Sequence, residues 1–270
     1  MPELPEVEVT RLGLLPLLQQ TVTSVTIRNG KLRWPIPADL HDTLSQQTLL
    51  QLTRRAKYIL AQFERGVLIL HLGMSGRLRL MAQFEPPQKH DHLDIQFTSG
   101  QVLRLRDPRR FGAVLWIDGL DATHPLLNTL GPEPLGQDFH AHYLHRQLKK
   151  KNVAIKIALM DSHVVVGIGN IYASEALFRA RISPQLPAKK LSLKQCEALV
   201  QEVKTTLSDA LIAGGSSLRD FLGADNKAGY FQQSYFVYGR TGEPCRVCHT
   251  PIMQIKQGQR STFYCPVCQK

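Results

Sequence analysis

The spacing of apolar positions divides the chain into two parts with different periodicity. Near the N-terminus, apolar residues recur at helical spacing, at Leu4, Val7, Leu14, Leu15 and Leu18, which predicts a first helix. Short apolar runs follow, several alternating with period two as strands do: TVTSVTIR, LLQLTRRAKYILAQF, GVLILHL, GRLRLMA, HLDIQF, QVLRLR and AVLWID. Ser99-Gly100 predicts a hairpin turn between two of them. So many consecutive short strands predict a β-sandwich or barrel.

The period becomes helical after the loop LGPEPLG at 130–136, whose two prolines predict a domain boundary. Helical spacing covers HAHYLHRQLKKK, AIKIALMD and NIYASEALFRA. A longer helix is predicted from an N-cap at Ser192 to a stop at Gly214-Gly215. The chain therefore combines a β-rich first half with a helical second half.

The formal charge of +11 is concentrated in the second half. Residues 1–135 carry 15 Lys and Arg against 13 Asp and Glu, whereas residues 136–270 carry 18 against 9. This asymmetry suggests a polyanion partner, most commonly nucleic acid; a merely basic soluble protein is the alternative that charge alone leaves open. No apolar run approaches the ~20 residues of a membrane span, and the N-terminus does not resemble a signal peptide. We therefore expect a cytoplasmic protein.

Cysteine spacing near the C-terminus predicts a metal site. Two CxxC pairs are separated by 16 residues and comprise Cys245, Cys248, Cys265 and Cys268. This is zinc-ribbon spacing, in which two knuckles complete a tetrahedral site for one structural Zn²⁺. Disulfides are the alternative, which a reducing cytoplasm disfavours. Cys196 lies on an apolar helical face and is predicted to be a buried structural thiol.

The opening MPELPEVEV has a structural and a chemical interpretation. Pro5 suits the first helical position, and Glu3, Glu6 and Glu8 complement the positive end of a helix dipole. Removal of Met1 would leave Pro2 as a secondary amine beside a carboxylate. The pattern alone leaves open whether that amine does chemistry.

Other motifs suggest contacts with a polyanion. VVVGIGNIYASE fails as a dinucleotide-binding turn because Tyr172 occupies the third glycine position. It is instead a glycine-rich turn with Asn170 as the expected N-cap, either a plain cap or an anion site suited to a DNA phosphate. In KHDHLD, a strand would place His90 and His92 on one face. No third ligand at convincing spacing is visible, so we favour a phosphate contact over a catalytic metal.

Two short motifs present unusual side chains on turns. In DPRRFG, Phe111 is suited to act as a wedge between bases, with an arginine filling the gap. Met74 in HLGMSG stands near two glycines, and a core role is the alternative. Lys57 in RRAK is either a solvated charge, a phosphate contact or a proton carrier. Arg260, between the cysteine knuckles, suits a hairpin that enters a groove.

Together these motifs resemble one family, the formamidopyrimidine-DNA glycosylases. PELPEVE, RRAKY, HLGMSG, KHDH, DPRRFG, LGPEPL, GNIYASE and the terminal CxxC pairs fit in order along essentially the whole chain. The resemblance implies an α+β fold: an N-terminal β-sandwich with flanking helices, a helical domain with a helix-two-turn-helix motif, and a zinc-ribbon β-hairpin. We place these domains at 1–130, 131–235 and 236–270.

The resemblance also implies the chemistry. It makes the mature Pro2 amine a nucleophile toward the sugar C1′, and Glu3 the matching acid–base residue. Glu6 is implied to be buried support at the helix start. Lys57 is implied in β-elimination and Arg260 in δ-elimination. The implied DNA-backbone contacts are His71, His90, Lys151, Asn170 and Tyr238. The residues implied to fill the void of a flipped base are Met74, Arg109 and Phe111.

An arginine facing the orphaned cytosine implies an oxidised purine in duplex DNA, paired with cytosine, as the substrate. The related endonuclease VIII family usually begins PEGPE, so Leu4 and the Met-Arg-Phe set argue against it. The segment that closes over the flipped base in the family reads SSLRDFLGADNKAGYF here, with Ser216, Ser217 and Arg219 where some relatives carry threonine and lysine. A non-catalytic damaged-DNA-binding protein and a metal-dependent nuclease are alternatives. The expected state is a monomer.

Overall fold

A computed structural model describes residues 2–121, 123–216 and 229–270. The chain forms two compact units. The first unit comprises Met1–Asn128 with Ala213–Tyr230, and the second comprises Thr129–Ile212 with Phe231–Lys270. Met1 and most of the segment expected to close over a flipped base, including Ser217 and Arg219, lie outside the described residues.

Two antiparallel four-stranded sheets make up most of the first unit. Its elements in chain order are α1 (Leu4–Gly13), β1 (Val22–Ile27), α2 (Leu40–Leu44), β2 (Leu49–Arg55), β3 (Tyr58–Phe63), β4 (Gly66–His71), β5 (Arg77–Met81), β6 (Asp91–Phe97), β7 (Val102–Arg106), β8 (Ala113–Asp118) and α3 (Pro125–Asn128). One sheet has the strand order β1-β6-β7-β5 and the other β2-β3-β4-β8. A 3₁₀ turn at Leu15–Leu17 follows α1.

The apolar faces of both sheets, with α1 and α2, enclose one hydrophobic core. Strand β3 alternates between buried and half-buried residues, as its sequence predicts. This arrangement confirms the predicted N-terminal β-sandwich. The run LLQLTRRAKYILAQF contains two strands, because β2 and β3 pair up to Arg55 and Tyr58 across a turn at Ala56-Lys57. The Ser99-Gly100 turn between β6 and β7 is confirmed, with Gly100 at φ +82°.

The second unit is helical and ends in a β-hairpin. Its elements are α4 (Ala141–Leu148), α5 (Ile155–Leu159), α6 (Asn170–Arg179), α7 (Leu193–Ile212), β9 (Met253–Gln257) and β10 (Arg260–Tyr264). Single 3₁₀ turns occur at Ala188–Lys190 and Phe231–Ser234. A hydrogen-bonded turn lies between α5 and α6, with the N–H groups of Val164 and Val165 donating to the carbonyl oxygen of Asp161. The predicted helical domain and zinc-ribbon hairpin are thus confirmed.

The predicted start of the long helix α7 is confirmed by its cap. The Ser192 Oγ accepts from Gln195 N–H at 3.2 Å, and the Gln195 Oε1 accepts from Ser192 N–H at 2.9 Å. Each side chain therefore satisfies a backbone donor that the first turn leaves without a helical partner. Cys196 on α7 is fully buried, and burial raises the pKa of its thiol to about 11. It is the structural thiol that the sequence predicts.

Within the described residues, every helix is too short or too polar to span a membrane.

Candidate functional site

The N-terminus of α1 buries Pro2 and two carboxylates. Glu3, which precedes the helix in an extended conformation, is 2% exposed, and so is Glu6. The Glu6 Oε2 accepts from the Glu3 N–H at 2.8 Å, and its Oε1 accepts from the Ser216 N–H at 2.8 Å. Glu6 therefore fixes the helix start and binds the chain beyond α7. Glu3 lies next to Pro2 at the positive end of the helix and forms a capping box with Glu6.

Lys57 lies in the turn between β2 and β3, close to His71 at the end of β4. The His71 Nδ1 accepts from the Gly73 N–H at 3.2 Å, so a neutral ring carries its proton on Nε2. The Tyr58 ring lies 4.8 Å from the His71 ring, centroid to centroid. Burial, followed by the charges of Lys57 and Arg33, lowers the pKa of His71 to about 4. His71 is thus a neutral hydrogen-bond donor near a lysine.

The loops HLGMSG and DPRRFG pack directly against each other. Gly73 has φ +60°, and a Cβ on it would lie 2.4 Å from the carbonyl carbon and oxygen of Phe111. A Cβ on Gly112 would lie 2.7 Å from the carbonyl oxygen of His71. Only glycine permits this approach, which brings the half-buried Met74 into the loop pair that carries Arg109 and Phe111.

Buried Asp107 joins these two loops. Its Oδ1 accepts from the Ser75 hydroxyl at 2.6 Å, and its Oδ2 accepts from the Gly112 N–H at 2.8 Å. The Ser75 Oγ in turn accepts from the Arg109 N–H at 3.1 Å.

Exposed side chains occupy the outer side of the loop pair. Phe111 is 44% exposed, and the Arg109 guanidinium lies 4.7 Å from the centroid of its ring. The structure therefore brings the predicted Met-Arg-Phe set together, with an exposed aromatic and a cation over its face.

The expectation that His90 and His92 share one strand face is wrong. His90 precedes β6 and has φ +76°, so strand geometry does not extend to it. His92 is buried, and its Nε2 lies 2.8 Å from the Asp107 carbonyl oxygen. The His90 carbonyl oxygen accepts from the Asp107 N–H at 3.0 Å, which places half-buried His90 beside the DPRRFG loop.

The expectation that Asn170 is the N-cap of α6 is also wrong. Gly169 is the extended N-cap residue, and Asn170 begins the helix. The Asn170 Nδ2 donates to the Ser261 carbonyl oxygen at 2.9 Å, and its Oδ1 accepts from Lys156 Nζ at 2.6 Å. Its side chain is thus used to bind the hairpin strand β10. Fully buried Lys156 also donates to the Thr262 Oγ1 at 2.7 Å.

Arg260 is exposed at the first position of β10. The turn before it, Gly258-Gln259, has positive φ at both residues, as a type I′ hairpin requires. An open depression beside the turn is lined by Arg260, Lys151, Asp161, Ile157 and Met160. The Lys151 Nζ donates to the Asp161 Oδ2 at 2.6 Å.

The carboxyl of Asp161 is ionised across the physiological pH range. Burial alone would raise its pKa, but the hydrogen bonds from Lys151 and His163 and the Lys151 charge lower it to about 2. Two cations and one carboxylate therefore surround the depression.

Tyr238 is held by Glu175 on α6. The Glu175 carboxyl accepts from three consecutive backbone N–H groups, those of Phe236, Val237 and Tyr238, at 2.8–3.0 Å. Burial nevertheless raises the pKa of this carboxyl, against the effect of these donors. The half-buried Tyr238 ring packs edge-on against Phe263 of β10. Tyr238 therefore lies against the strand that begins at Arg260.

The four predicted metal ligands converge. The sulfur atoms of Cys245, Cys248, Cys265 and Cys268 lie within 4.8 Å of one another, and all four thiols are free. The Sγ–Sγ distance is 3.9 Å between Cys245 and Cys268 and 3.4 Å between Cys248 and Cys265. Four sulfurs bound tetrahedrally to zinc at about 2.3 Å would lie about 3.8 Å from one another. Backbone N–H groups of Val247 and Cys268 donate to ligand sulfurs, as metal knuckles do. These residues fit a tetrahedral zinc ion, and no other described group of His, Cys, Asp or Glu was found with this property.

Several residues that organise the site have weak sequence signals. Asp107 and Ser75 stand inside recognised motifs but beside more conspicuous side chains. Lys156 stands between two isoleucines of α5, and Glu175 precedes an apolar run in α6; both charged side chains are buried, and a buried charge requires specific partners. That mismatch is the signal that could have identified them.

Comparison with known proteins gives a consistent assignment along the chain. Residues 1–114 match the formamidopyrimidine-DNA glycosylase N-terminal domain, residues 130–221 match its H2TH domain, and residues 242–270 match a zinc finger found in FPG and IleRS. The chain is 61% identical over 270 residues to a formamidopyrimidine-DNA glycosylase of Methylobacillus flagellatus, covering 100% of this chain and 97% of that protein. It is 52% identical over 271 residues to the Escherichia coli protein of that name, covering 100% of both.

Solved structures of FPG proteins are similar to this chain over its whole length. A mutant Lactococcus lactis FPG in complex with a Fapy-dG containing DNA has a TM-score of 0.92 at 34% identity, covering 100% of both chains. The MutM (FPG) protein from Thermus thermophilus has a TM-score of 0.88 at 38% identity, covering 99% of this chain and 98% of that one. The family-model matches, the identity to curated relatives, the order of the motifs and the cysteine geometry all agree. This chain therefore belongs to the formamidopyrimidine-DNA glycosylase family.

Proposed function

We propose that this protein is a bifunctional DNA glycosylase and AP lyase of base excision repair. It removes oxidised purines, 8-oxoguanine and formamidopyrimidines, from duplex DNA where they pair with cytosine, and it then nicks the strand. The observation that carries this proposal is the placement of Pro2 beside the buried carboxyl of Glu3 at the start of α1. Membership of the family and the DNA-bound relatives support it.

In the proposed reaction the neutral Pro2 amine, freed by removal of Met1, attacks the sugar C1′ of the damaged nucleotide. The N-glycosidic bond breaks and the base leaves. An α-amine has a pKa of about 7.7–8.0, so a useful neutral fraction exists near pH 7. Glu3 protonates the sugar oxygen as the ring opens, which leaves a cationic Schiff base on Pro2.

The cationic Schiff base accepts electrons as a C2′ proton is lost, so the 3′ phosphate departs by β-elimination. A second elimination then releases the 5′ phosphate. Lys57 acts as proton carrier in the first step, and Arg260 holds the phosphates in the second. Hydrolysis of the Schiff base returns the Pro2 amine.

The remaining site residues bind and read the DNA. His71, His90, Lys151, Asn170 and Tyr238 contact its backbone, to which a neutral imidazole N–H, an ammonium, an amide and a phenol all donate well. Met74, Arg109 and Phe111 fill the void of the flipped nucleotide, with Arg109 facing the orphaned cytosine. The four cysteines would hold one structural zinc ion, and its binding would supply folding free energy to the hairpin that carries Arg260. The protein acts as a monomer in the bacterial cytoplasm, on nucleoid DNA.

Borohydride trapping tests the proposal. The purified protein is mixed with a duplex that carries 8-oxoguanine opposite cytosine, and the trapped peptide is sequenced by mass spectrometry. We expect an adduct on an N-terminal Pro2, lost in Pro2→Gly and absent on an undamaged duplex. An adduct only with oxidised pyrimidines would favour the endonuclease VIII alternative. Tight binding with no adduct, and an intact mass that shows Met1 removed, would favour a non-catalytic reader of damaged DNA.

A further inference from the structure

A network of charged side chains connects α1 to the turn that carries Lys57. Glu8 of α1 accepts from Arg54 of β2, with the Arg54 Nε 3.1 Å from the Glu8 Oε2. The same guanidinium donates through Nη1 to the Ala56 carbonyl oxygen at 2.9 Å. Arg54 therefore contacts the helix with one edge and the peptide group immediately before Lys57 with the other.

Arg11 of α1 holds the same carboxylate. Its Nη2 donates to the Glu8 Oε1 at 2.6 Å, and its Nη1 donates to the Leu52 carbonyl oxygen at 3.1 Å. The exposed fractions of the Glu8, Arg11 and Arg54 side chains are 20%, 17% and 13%, against 40% and 45% for the Arg79–Glu85 pair of the same unit. Burial alone would raise the pKa of Glu8, but the hydrogen bonds and charges of Arg11 and Arg54 lower it. The carboxylate is therefore ionised at neutral pH.

The turn needs such support. Ala56 has φ +55°, a left-handed conformation that is uncommon for a residue with a Cβ, and it is 3% exposed. A hydrogen bond to its carbonyl oxygen holds the peptide plane that sets the direction in which Lys57 leaves the turn.

We propose that Glu8 and Arg54 are positioning residues for Lys57. They hold the Ala56-Lys57 turn against α1, the helix whose N-terminus carries Glu3, so that the ammonium and the Glu3 carboxyl keep a fixed separation. The inference rests on the proposed function, which gives Lys57 its role in strand cleavage. Neither Glu8 nor Arg54 touches the reacting atoms.

A double-mutant cycle tests this role. We expect Arg54→Gln to slow single-turnover cleavage of a duplex with a preformed abasic site by about 10-fold, because small misplacements of a catalytic group have large kinetic effects. The milder Glu8→Gln should do the same to a lesser degree. In a Lys57→Ala background, Arg54→Gln should have no further effect, since it acts through Lys57. Additive losses would overturn the proposal.

Two comparisons separate positioning from charge and from folding. Arg54→Lys keeps the charge but cannot span both partners, so wild-type cleavage by that variant would also overturn the proposal. Arg79→Gln removes another Arg–Glu pair of the same unit, one that is 40% and 45% exposed, and should leave cleavage unchanged. Melting temperatures of all variants identify any loss that follows from unfolding.

Chemical modification measures the position of Lys57 without catalysis. Its rate of acetylation, followed by peptide mass spectrometry, should change in Arg54→Gln and not in Arg79→Gln. An unchanged rate would refute the positioning role. A changed rate, together with normal cleavage by Lys57→Ala, would refute only the catalytic assignment of Lys57.

Discussion

The Ser75 hydroxyl donates to the buried Asp107 carboxylate at 2.6 Å, and this bond joins the HLGMSG loop to the DPRRFG loop. The other oxygen of Asp107 accepts from the Gly112 N–H at 2.8 Å. One carboxylate thus fixes two turns that carry Met74, Arg109 and Phe111. Met74, Arg109 and Phe111 are proposed to read DNA, and their positions depend on Asp107, a carboxylate that is fully buried.

Asp107→Ala should weaken both the fold and base discrimination. It leaves the buried Gly112 N–H without its acceptor, which costs about 1–3 kcal/mol of unfolding free energy. Asp107→Asn keeps an oxygen for Gly112 and an amide for Ser75, so it should recover much of that loss. Urea unfolding measures the stability. The ratio of 8-oxoguanine excision opposite cytosine to that opposite adenine measures discrimination, and should fall in Asp107→Ala. Equal behaviour of the two variants would contradict this role.

Gly73→Ala should displace the DPRRFG loop. Its Cβ would stand 2.4 Å from the Phe111 backbone, in addition to the strain of φ +60°. Gly100→Ala is the matched control, because it has φ +82° but no atom within 4 Å of the new Cβ. We expect Gly100→Ala to cost about 1 kcal/mol and Gly73→Ala clearly more, with weakened binding to damaged duplex. Similar unfolding free energies for the two variants would show that the loops tolerate separation.

Predictability from the sequence differed between local and long-range features. The zinc ligands could be found because their spacing encodes a local geometry, and the strands could be found because period two survives in β3. The N-cap of α6 was misplaced by one residue because Asn170 binds Ser261, 91 residues away, instead of its own helix. The expectation that His90 and His92 share a strand face failed because His90, the residue before β6, has a left-handed backbone conformation, so the strand does not extend to it.

Residues that hold the site were the hardest to predict. Nothing local in RRAK shows that Arg54 bonds to both Glu8 and Ala56, because the first partner is 46 residues distant in the chain. Glu175 likewise caps a segment 61 to 63 residues later. Such contacts follow from packing of elements, which periodicity alone does not specify. The family resemblance implied roles for the site residues, but the contacts that support those residues required the structure.

His71 should make stability depend on acidity. Burial and the Lys57 and Arg33 charges lower its pKa from 6.5 to about 4 in the folded chain. The unfolded chain therefore takes up this proton first, and the stabilising contribution, fully present above pH 6.5, is lost as the pH falls toward 4. In His71→Asn, whose Oδ1 can still accept from Gly73, the uptake on unfolding should fall by about one proton in that window. Urea unfolding at several pH values measures it. An unchanged slope, or an equal change in His163→Asn, whose side chain is 65% exposed, would contradict the assignment.

Loss of the metal should disable DNA binding through the second unit while the sandwich stays folded. Cys248→Ser removes one of four ligands, and since structural zinc sites supply about 10–16 kcal/mol of folding free energy, β9 and β10 should lose their order. Arg260, and the Ser261 carbonyl that binds Asn170, then lose their positions. We expect zinc content to fall from one ion per chain toward none.

Affinity for damaged duplex should fall at least 10-fold in Cys248→Ser, with a shallower dependence on salt because fewer phosphates are contacted. Cys196→Ala, which alters a buried thiol outside the cluster, should keep its zinc. Full affinity in zinc-free Cys248→Ser would show that the hairpin binds DNA without the metal.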